Sequence, residues 1–194
     1  MTDFNTRPTT VDDASIWVGS CYMNLLDPNP SEIFLDDIAL SLSRICRFNG
    51  HGNRFYSVAE HSVNCVVMAR DWHGVSPISA LRAILMHDAL EAFIGDVTTP
   101  LKRHLSDYRR IEGPIQRAIE HRFGLESTKS AIVKLMDRKM LATEKLALHP
   151  DCPPWPDFPA EIAIPDFPII GKCPEDAAEA FMSMAYELGV THVG

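Results

Sequence analysis

Three observations predict an all-α fold. Apolar residues recur at helical spacing in several separate stretches, and serine, proline and glycine punctuate those stretches as helix starts and stops. No stretch alternates with period two for long enough to suggest a sheet. The chain has 194 residues, 46% hydrophobic and 23% charged. That length and mixture predict a single domain over 1–194 with a core of its own.

Residues 1–30 read as an irregular segment with Trp17, Tyr22, Leu25 and Leu26 as docking points. From Asp36 onward, Ile38, Leu42 and Ile45 fall at i, i+4 and i+7, the mark of a helix with one apolar face. The stretch RFNGHGNRFY (47–56), with two glycines and two asparagines, breaks it as a loop. Ser57-Val58-Ala59-Glu60 is a capping box, in which hydroxyl and carboxylate answer free backbone N–H groups reciprocally. The helix it opens is predicted to run to Trp72 and stop at Gly74. Ser76 as N-cap and Pro77 as first helical residue open a third helix, running to Phe93 and closed by Gly95.

After the turn 95–100, a basic helix is predicted over 107–123, kinked or divided at Pro114. Another covers 128–148, with Ile132, Leu135, Met136 and Met140 on its inner side. Eight of the fourteen prolines crowd into 149–174. That segment therefore reads as a Pro-rich loop, packed through Trp155, Phe158, Ile162, Ile164 and Phe167. A final helix over 175–188 ends at Gly189.

Net charge is −8, from 18 Lys and Arg against 26 Asp and Glu. A protein that wraps nucleic acid gains affinity by neutralising phosphates and carries a basic surplus, so that class is excluded as an expectation. A small phosphorylated substrate held by a local basic patch is not. The five cysteines are scattered, odd in number and without a C-x-x-C pair, the pattern of reduced thiols in a cytosolic protein. Apolar runs fall far short of a bilayer span, and no basic-then-apolar leader is visible. The expectation is a cytoplasmic protein without membrane or nucleic-acid partners.

Chemistry concentrates in a few polar residues at helical, semi-buried positions. His61 lies in AEHS, the doublet His87-Asp88 in the third helix, and Asp137 in KLMDRKM among core-type residues. Unpaired buried polar groups are costly, and a divalent metal would satisfy all four together. Two imidazoles and two carboxylates make an N/O set suited to one ion of Zn, Co, Mn, Ni, Fe or Mg, with no soft thiolate to narrow the choice. Glu91 falls one turn beyond His87 on the same face, and Gly95-Asp96 follows. Glu60 is read as the capping carboxylate. Glu144, two turns after Asp137, is read as a salt-bridge partner of a nearby Lys or Arg.

The pieces YSVAEHS (56–62) and MHDALEAFIGDVTTPLK (86–102), with Asp137, resemble the HD-domain metal-dependent phosphohydrolases, with motifs in the order H…HD…D over roughly residues 37–145. Within that family the chain is most similar to small bacterial 5′-deoxynucleotidases and phage-type deoxynucleoside triphosphohydrolases. The stretch 37–62 is similar to short phage enzymes acting on dATP.

The resemblance implies an HD-domain helical bundle, cytoplasmic and homo-oligomeric, with His61, His87, Asp88 and Asp137 as ligands of one divalent metal. It implies Glu91 and Asp96 as catalytic acidic residues. It implies Arg47 at phosphate or sugar, Phe48 shaping the sugar–base pocket, and Lys102 at phosphate. The chain has Phe where the mononucleotidases have Trp. Three functions follow as expectations. The first is release of triphosphate and deoxynucleoside from dATP or another deoxynucleoside triphosphate; the second is 5′-deoxymononucleotidase activity; the third is a non-catalytic nucleotide-binding HD protein. Distal Arg109, Arg110, Arg117 and Arg122 are read as a solvated or subunit face.

Overall fold

The computed structural model describes residues 11–155 and 162–192. Among them the chain is mainly helical. A short hairpin, β1 (Ser15–Trp17) and β2 (Tyr22–Asn24), precedes eight helices: α1 (Leu35–Arg44), α2 (Val58–Val67), α3 (Ile78–Leu85), α4 (Glu91–Ile94), α5 (Thr99–Lys102), α6 (Tyr108–Arg122), α7 (Ala131–Leu148) and α8 (Pro174–Glu187). No helix among the described residues is long and apolar enough to cross a membrane.

The architecture is set by α2. It packs against α1, α3, α7 and α8, while α8 also covers α1. A helix covered on most sides must be apolar or fully satisfied nearly all round. Val58, Ala59, Cys65 and Val66 meet that demand directly, and Glu60, His61 and Ser62 are buried with them. Ile38, Leu42, Ile84, Leu85, Met140 and Phe181 complete the surrounding core.

Several sequence expectations are corrected. The N-terminal segment contains an antiparallel hairpin with Trp17 opposite Tyr22. Strands of three residues are too short to show period-two alternation. Trp17, Tyr22 and Leu26 are exposed, and docking falls to Met23 and Leu25. Ser76 does not cap α3; Pro77 occupies the N-cap position with an extended backbone.

The predicted third helix does not continue to Phe93. It stops at Leu85, and tight turns carry the chain to α4. The second helix changes from α to π geometry at Met68 and runs so to Trp72. A one-turn helix, α5, occupies part of the stretch read as a turn. Pro114 does not divide α6. Its neighbour Gly113 has no Cβ to meet the pyrrolidine ring, which removes one of the clashes that normally break a helix before proline. On α7 the buried line is Val133, Met136, Met140, Glu144 and Leu148, and Leu135 faces solvent.

Ser57 caps α2 as expected, its hydroxyl accepting from the Glu60 N–H at 3.1 Å. The other half of the capping box is not formed. The Glu60 carboxyl instead accepts the backbone N–H groups of Gly171 (3.1 Å) and Lys172 (2.7 Å). This anchors the end of the Pro-rich segment, whose Phe167 and Ile169 are buried against the core. Phe158 lies outside the described residues. Gly171 is required there: its φ is +82°, and a Cβ would sit 2.6 Å from the Phe55 carbonyl oxygen. Replacing Glu60 by Ala leaves two inward N–H groups without an acceptor. The expected loss is about 2–4 kcal/mol in chemical denaturation, with faster proteolysis within 162–173; unchanged stability would show that the segment holds without this anchor.

Candidate metal centre

His61 sits in the second turn of α2, and its ring is fully buried. Its Nδ1 faces Glu144 Oε1 at 2.5 Å. Burial alone would raise the Glu144 carboxyl, but Arg47 and His61 hold it below its ordinary value. An ionised Glu144 only accepts, so Nδ1 carries a proton and Nε2 is the nitrogen turned toward the cluster. Arg47 fixes Glu144 through Nε and Nη2, both 3.2 Å from Oε2, and its Nη1 lies 3.6 Å from Asp88 Oδ2.

His87 lies just beyond the end of α3. Residues 86–90 follow i→i+3 bonds, with the Ala89 N–H on the Met86 carbonyl at 3.2 Å and Glu91 on Asp88 at 2.9 Å. The Ile84 carbonyl would accept from Asp88 in a continuing α-helix. Here it accepts from His87 Nδ1 at 2.7 Å. A carbonyl can only accept, so this ring too has its Nδ1 proton committed and its Nε2 directed inward.

The four predicted ligands converge from three places: α2, the turn after α3, and α7. The two Nε2 atoms are 3.3 Å apart. Asp88 Oδ2 is 3.2 Å from His87 Nε2 and 3.6 Å from His61 Nε2. Asp137 Oδ1 is 3.4 Å from His61 Nε2 and 3.8 Å from His87 Nε2. With neutral imidazoles these four atoms are all acceptors, and acceptors at such spacing repel unless positive charge lies among them. The titration of the cluster says the same. Burial would lower both imidazoles, yet the acidic groups around them hold both well above their ordinary value. Burial would raise both aspartates, yet His87 and its neighbours pull Asp88 down to about 2, and the two imidazoles hold Asp137 well below the usual range.

The imidazoles are buried, whereas the Asp88 side chain is 21% exposed and that of Asp137 39%. The cluster is therefore closed behind the rings and open on its carboxylate side. Cys65 adds a further donor, its Sγ 3.5 Å from His61 Nε2. His61, Cys65 and His87 each offer one ligand atom, all within 4.8 Å of one another, a spacing able to hold a metal ion.

Two acidic residues flank the cluster. Glu91 opens α4 and is buried; its Oε2 has no hydrogen-bond partner and its Oε1 lies 3.9 Å from Lys102 Nζ. Burial, then Asp88 and Asp96, push its carboxyl well above the usual range. Burial also raises Asp96, with Arg47 tempering the shift.

The predicted substrate contacts are differently disposed. Arg47 is buried and engaged with Glu144 and Asp88, so its visible work is to position them. Lys102 lies between Glu91 and Glu112, the latter at 3.3 Å. Phe48 and the next residue, Asn49, have left-handed backbones, φ +57° and +51°, a strain of about 1–3 kcal/mol each. This sets the Phe48 ring against His149 and Trp155, with centroids 4.8 and 6.3 Å away.

Two site residues were missed or under-read in the sequence. Glu144 does pair with an arginine, but it also orients His61; its position seven residues after Asp137 was the available signal, since both lie on one helical face. Cys65 stands four residues after His61, again one face of one helix, and was read only as a scattered thiol.

The chain is 40% identical over 161 residues to YfdR, an uncharacterized protein of Escherichia coli (strain K12), covering 82% of this chain and 86% of the relative. The chain belongs to the YfdR family. It is also 38% identical over 116 residues to RCAP_rcc00048, an uncharacterized protein of Rhodobacter capsulatus, across 58% of this chain and 59% of that relative. No protein-family model matches the chain.

Two stability outcomes follow for this YfdR-family chain. Glu144→Ala leaves Arg47 buried without its main partner, an expected loss of about 3–5 kcal/mol by urea denaturation; a loss under about 1 kcal/mol would mean that Asp88 alone suffices for Arg47. For Glu91, whose folded-state carboxyl is raised, the native state binds the extra proton between the unfolded and folded values. Stability therefore falls as pH rises through that window. Glu91→Gln should match wild type below the window and exceed it in Tm above, and identical Tm profiles would refute the buried-proton reading.

Proposed function

We propose that this chain is an HD-domain, metal-dependent phosphohydrolase of deoxynucleotides. The observation that carries the reading is the meeting of His61, His87, Asp88 and Asp137, in the order H…HD…D, at 3.2–3.8 Å between donor atoms. The charges fit a divalent ion. With the imidazoles neutral, as metal ligands are, and Glu91 protonated, the cations Arg47 and Lys102 face five carboxylates, Asp88, Asp96, Glu112, Asp137 and Glu144. Three negative charges are left over, enough to hold a divalent ion.

A divalent metal bound there would supply Lewis-acid polarisation of a phosphoryl oxygen and neutralise charge developing on it. The protein's own residues divide the remaining work. Glu91 holds a proton on a buried carboxyl and gives it to the leaving 5′-oxygen. Asp96, more exposed and less raised, accepts the proton of the attacking water. Phe48, beside His149 and Trp155, offers an apolar wall for sugar or base.

The finer reading is attack at the α-phosphorus of dATP or another deoxynucleoside triphosphate, releasing deoxynucleoside and intact triphosphate. Its support is the similarity of segment 37–62 and the exposed Arg103 and His104 beyond Lys102. One observation favours the 5′-deoxymononucleotidase reading instead. Arg47 and Lys102 are both engaged with carboxylates, which suits a substrate with a single phosphate.

The test is a product assay with purified protein, Co²⁺ or Mn²⁺, and dATP, dGTP, dCTP, dTTP, dAMP and ATP, resolved by anion exchange. Deoxyadenosine with intact triphosphate is the expected result. Turnover of dAMP alone selects the mononucleotidase, and no turnover with metal bound selects the non-catalytic binder. Asp137→Ala should lose metal and rate together. Glu91→Gln should keep the metal and lose at least about 100-fold in rate, and full activity in either variant overturns the assignment.

A further inference from the structure

The choice of ion is left open by two imidazoles and two carboxylates, which suit hard and borderline metals alike. Cys65 changes that set. We propose that Cys65 places a sulfur donor at this centre, so that the chain selects a thiophilic divalent ion, Zn²⁺ or Co²⁺, over Mg²⁺ or Mn²⁺. This rests on the metal-centre reading above and adds to it a ligand outside the H…HD…D pattern.

The geometry carries the inference. Around a five-coordinate ion with bonds of about 2.3 Å to sulfur and about 2.0–2.1 Å to imidazole nitrogen, adjacent sulfur and nitrogen ligands stand roughly 3.1–3.8 Å apart and two nitrogens roughly 2.9–3.5 Å apart. Cys65 Sγ is 3.5 Å from His61 Nε2, and the two Nε2 atoms are 3.3 Å apart. Cys65 Sγ already stands within hydrogen-bond reach of His61 Nε2, so the sulfur needs no movement of α2 to become a neighbouring ligand.

The helix supplies the second argument. His61 and Cys65 are one turn apart on α2, so one rigid element presents nitrogen and sulfur side by side. Both residues are fully buried. The carboxylates are the more open members of the cluster, with Asp137 the most exposed of the four predicted ligands. The sulfur thus sits where water does not compete, and the open side is left to substrate. On binding, the thiol proton leaves to solvent and the sulfur–metal bond forms with no change of oxidation state.

Two readouts independent of turnover test this on the full chain. X-ray absorption of the Zn²⁺-loaded protein should show a sulfur scatterer at about 2.3 Å beside nitrogen and oxygen at about 2.0–2.1 Å. The Co²⁺-loaded protein should show a near-ultraviolet sulfur-to-cobalt charge-transfer band that vanishes in Cys65→Ser and Cys65→Ala. The ratio of Zn²⁺ to Mn²⁺ affinity should fall at least about tenfold in both variants.

If Zn²⁺ binds with only nitrogen and oxygen neighbours and the ratio is unchanged, Cys65 merely packs; the inference falls and the phosphohydrolase reading stands. If wild type binds no divalent ion at all, both fall. Should either variant fail to fold, the wild-type absorption spectrum decides alone.

Discussion

A single carboxylate, that of Glu144, holds the centre of this molecule together. It is fully buried, and a buried charge survives only with partners that match it. It finds them in Arg47, from the loop before α2, and in His61, from α2 itself. The loop and α2 are thereby locked at one point to α7, more than eighty residues further along the chain. The consequences run outward: Arg47 is held near Asp88, the His61 tautomer is fixed, and the strained backbone at Phe48 is anchored by the residue before it. The chain has placed a polar knot where a helical bundle would ordinarily place leucines. That costs stability unless the knot has a further task.

Much of this was legible in the residues. Helix starts and stops follow local chemistry, so Ser57, Gly95 and Gly189 marked their boundaries well. The four proposed ligands stood out because imidazoles and carboxylates among core-type neighbours need a reason to be there. What escaped was what depends on contacts between distant parts. Nothing in MHDALEAFI announces that its helix breaks, since every residue in it tolerates a helix; the break follows from the His87 ring taking the Ile84 carbonyl. Glu60 looked like half of a capping box because its true partners, Gly171 and Lys172, lie more than a hundred residues away. The hairpin near the N-terminus was hidden for a simpler reason, its strands being too short to show a period.

Glu60 and His61 are adjacent on α2 yet serve opposite ends of the fold. One ties the Pro-rich segment to the core, and the other turns toward the acidic cluster. On a helix, neighbours diverge by about 100°, so two consecutive polar residues can be buried only if both sides of the helix have something polar to meet. The surrounding helices provide that on one side with Glu144. The backbone of residues 171–172 provides it on the other. The central position of α2 thus depends on the backbone of residues 171–172, which lies outside the helices packed around it.

The break after Leu85 has one more consequence. In an unbroken helix His87 and Asp88 would point well apart, and only one could face the cluster. The turn at 86–90 gives up regular hydrogen bonding so that two consecutive side chains can work on the same point. A thermostabilisation effort guided by helix propensity would single out this stretch as the weakest link between α3 and α4, and would repair it. Such a redesign would gain rigidity by turning one of the two side chains away from the cluster. Here the irregularity brings the doublet to one point, and the regular helix would separate it.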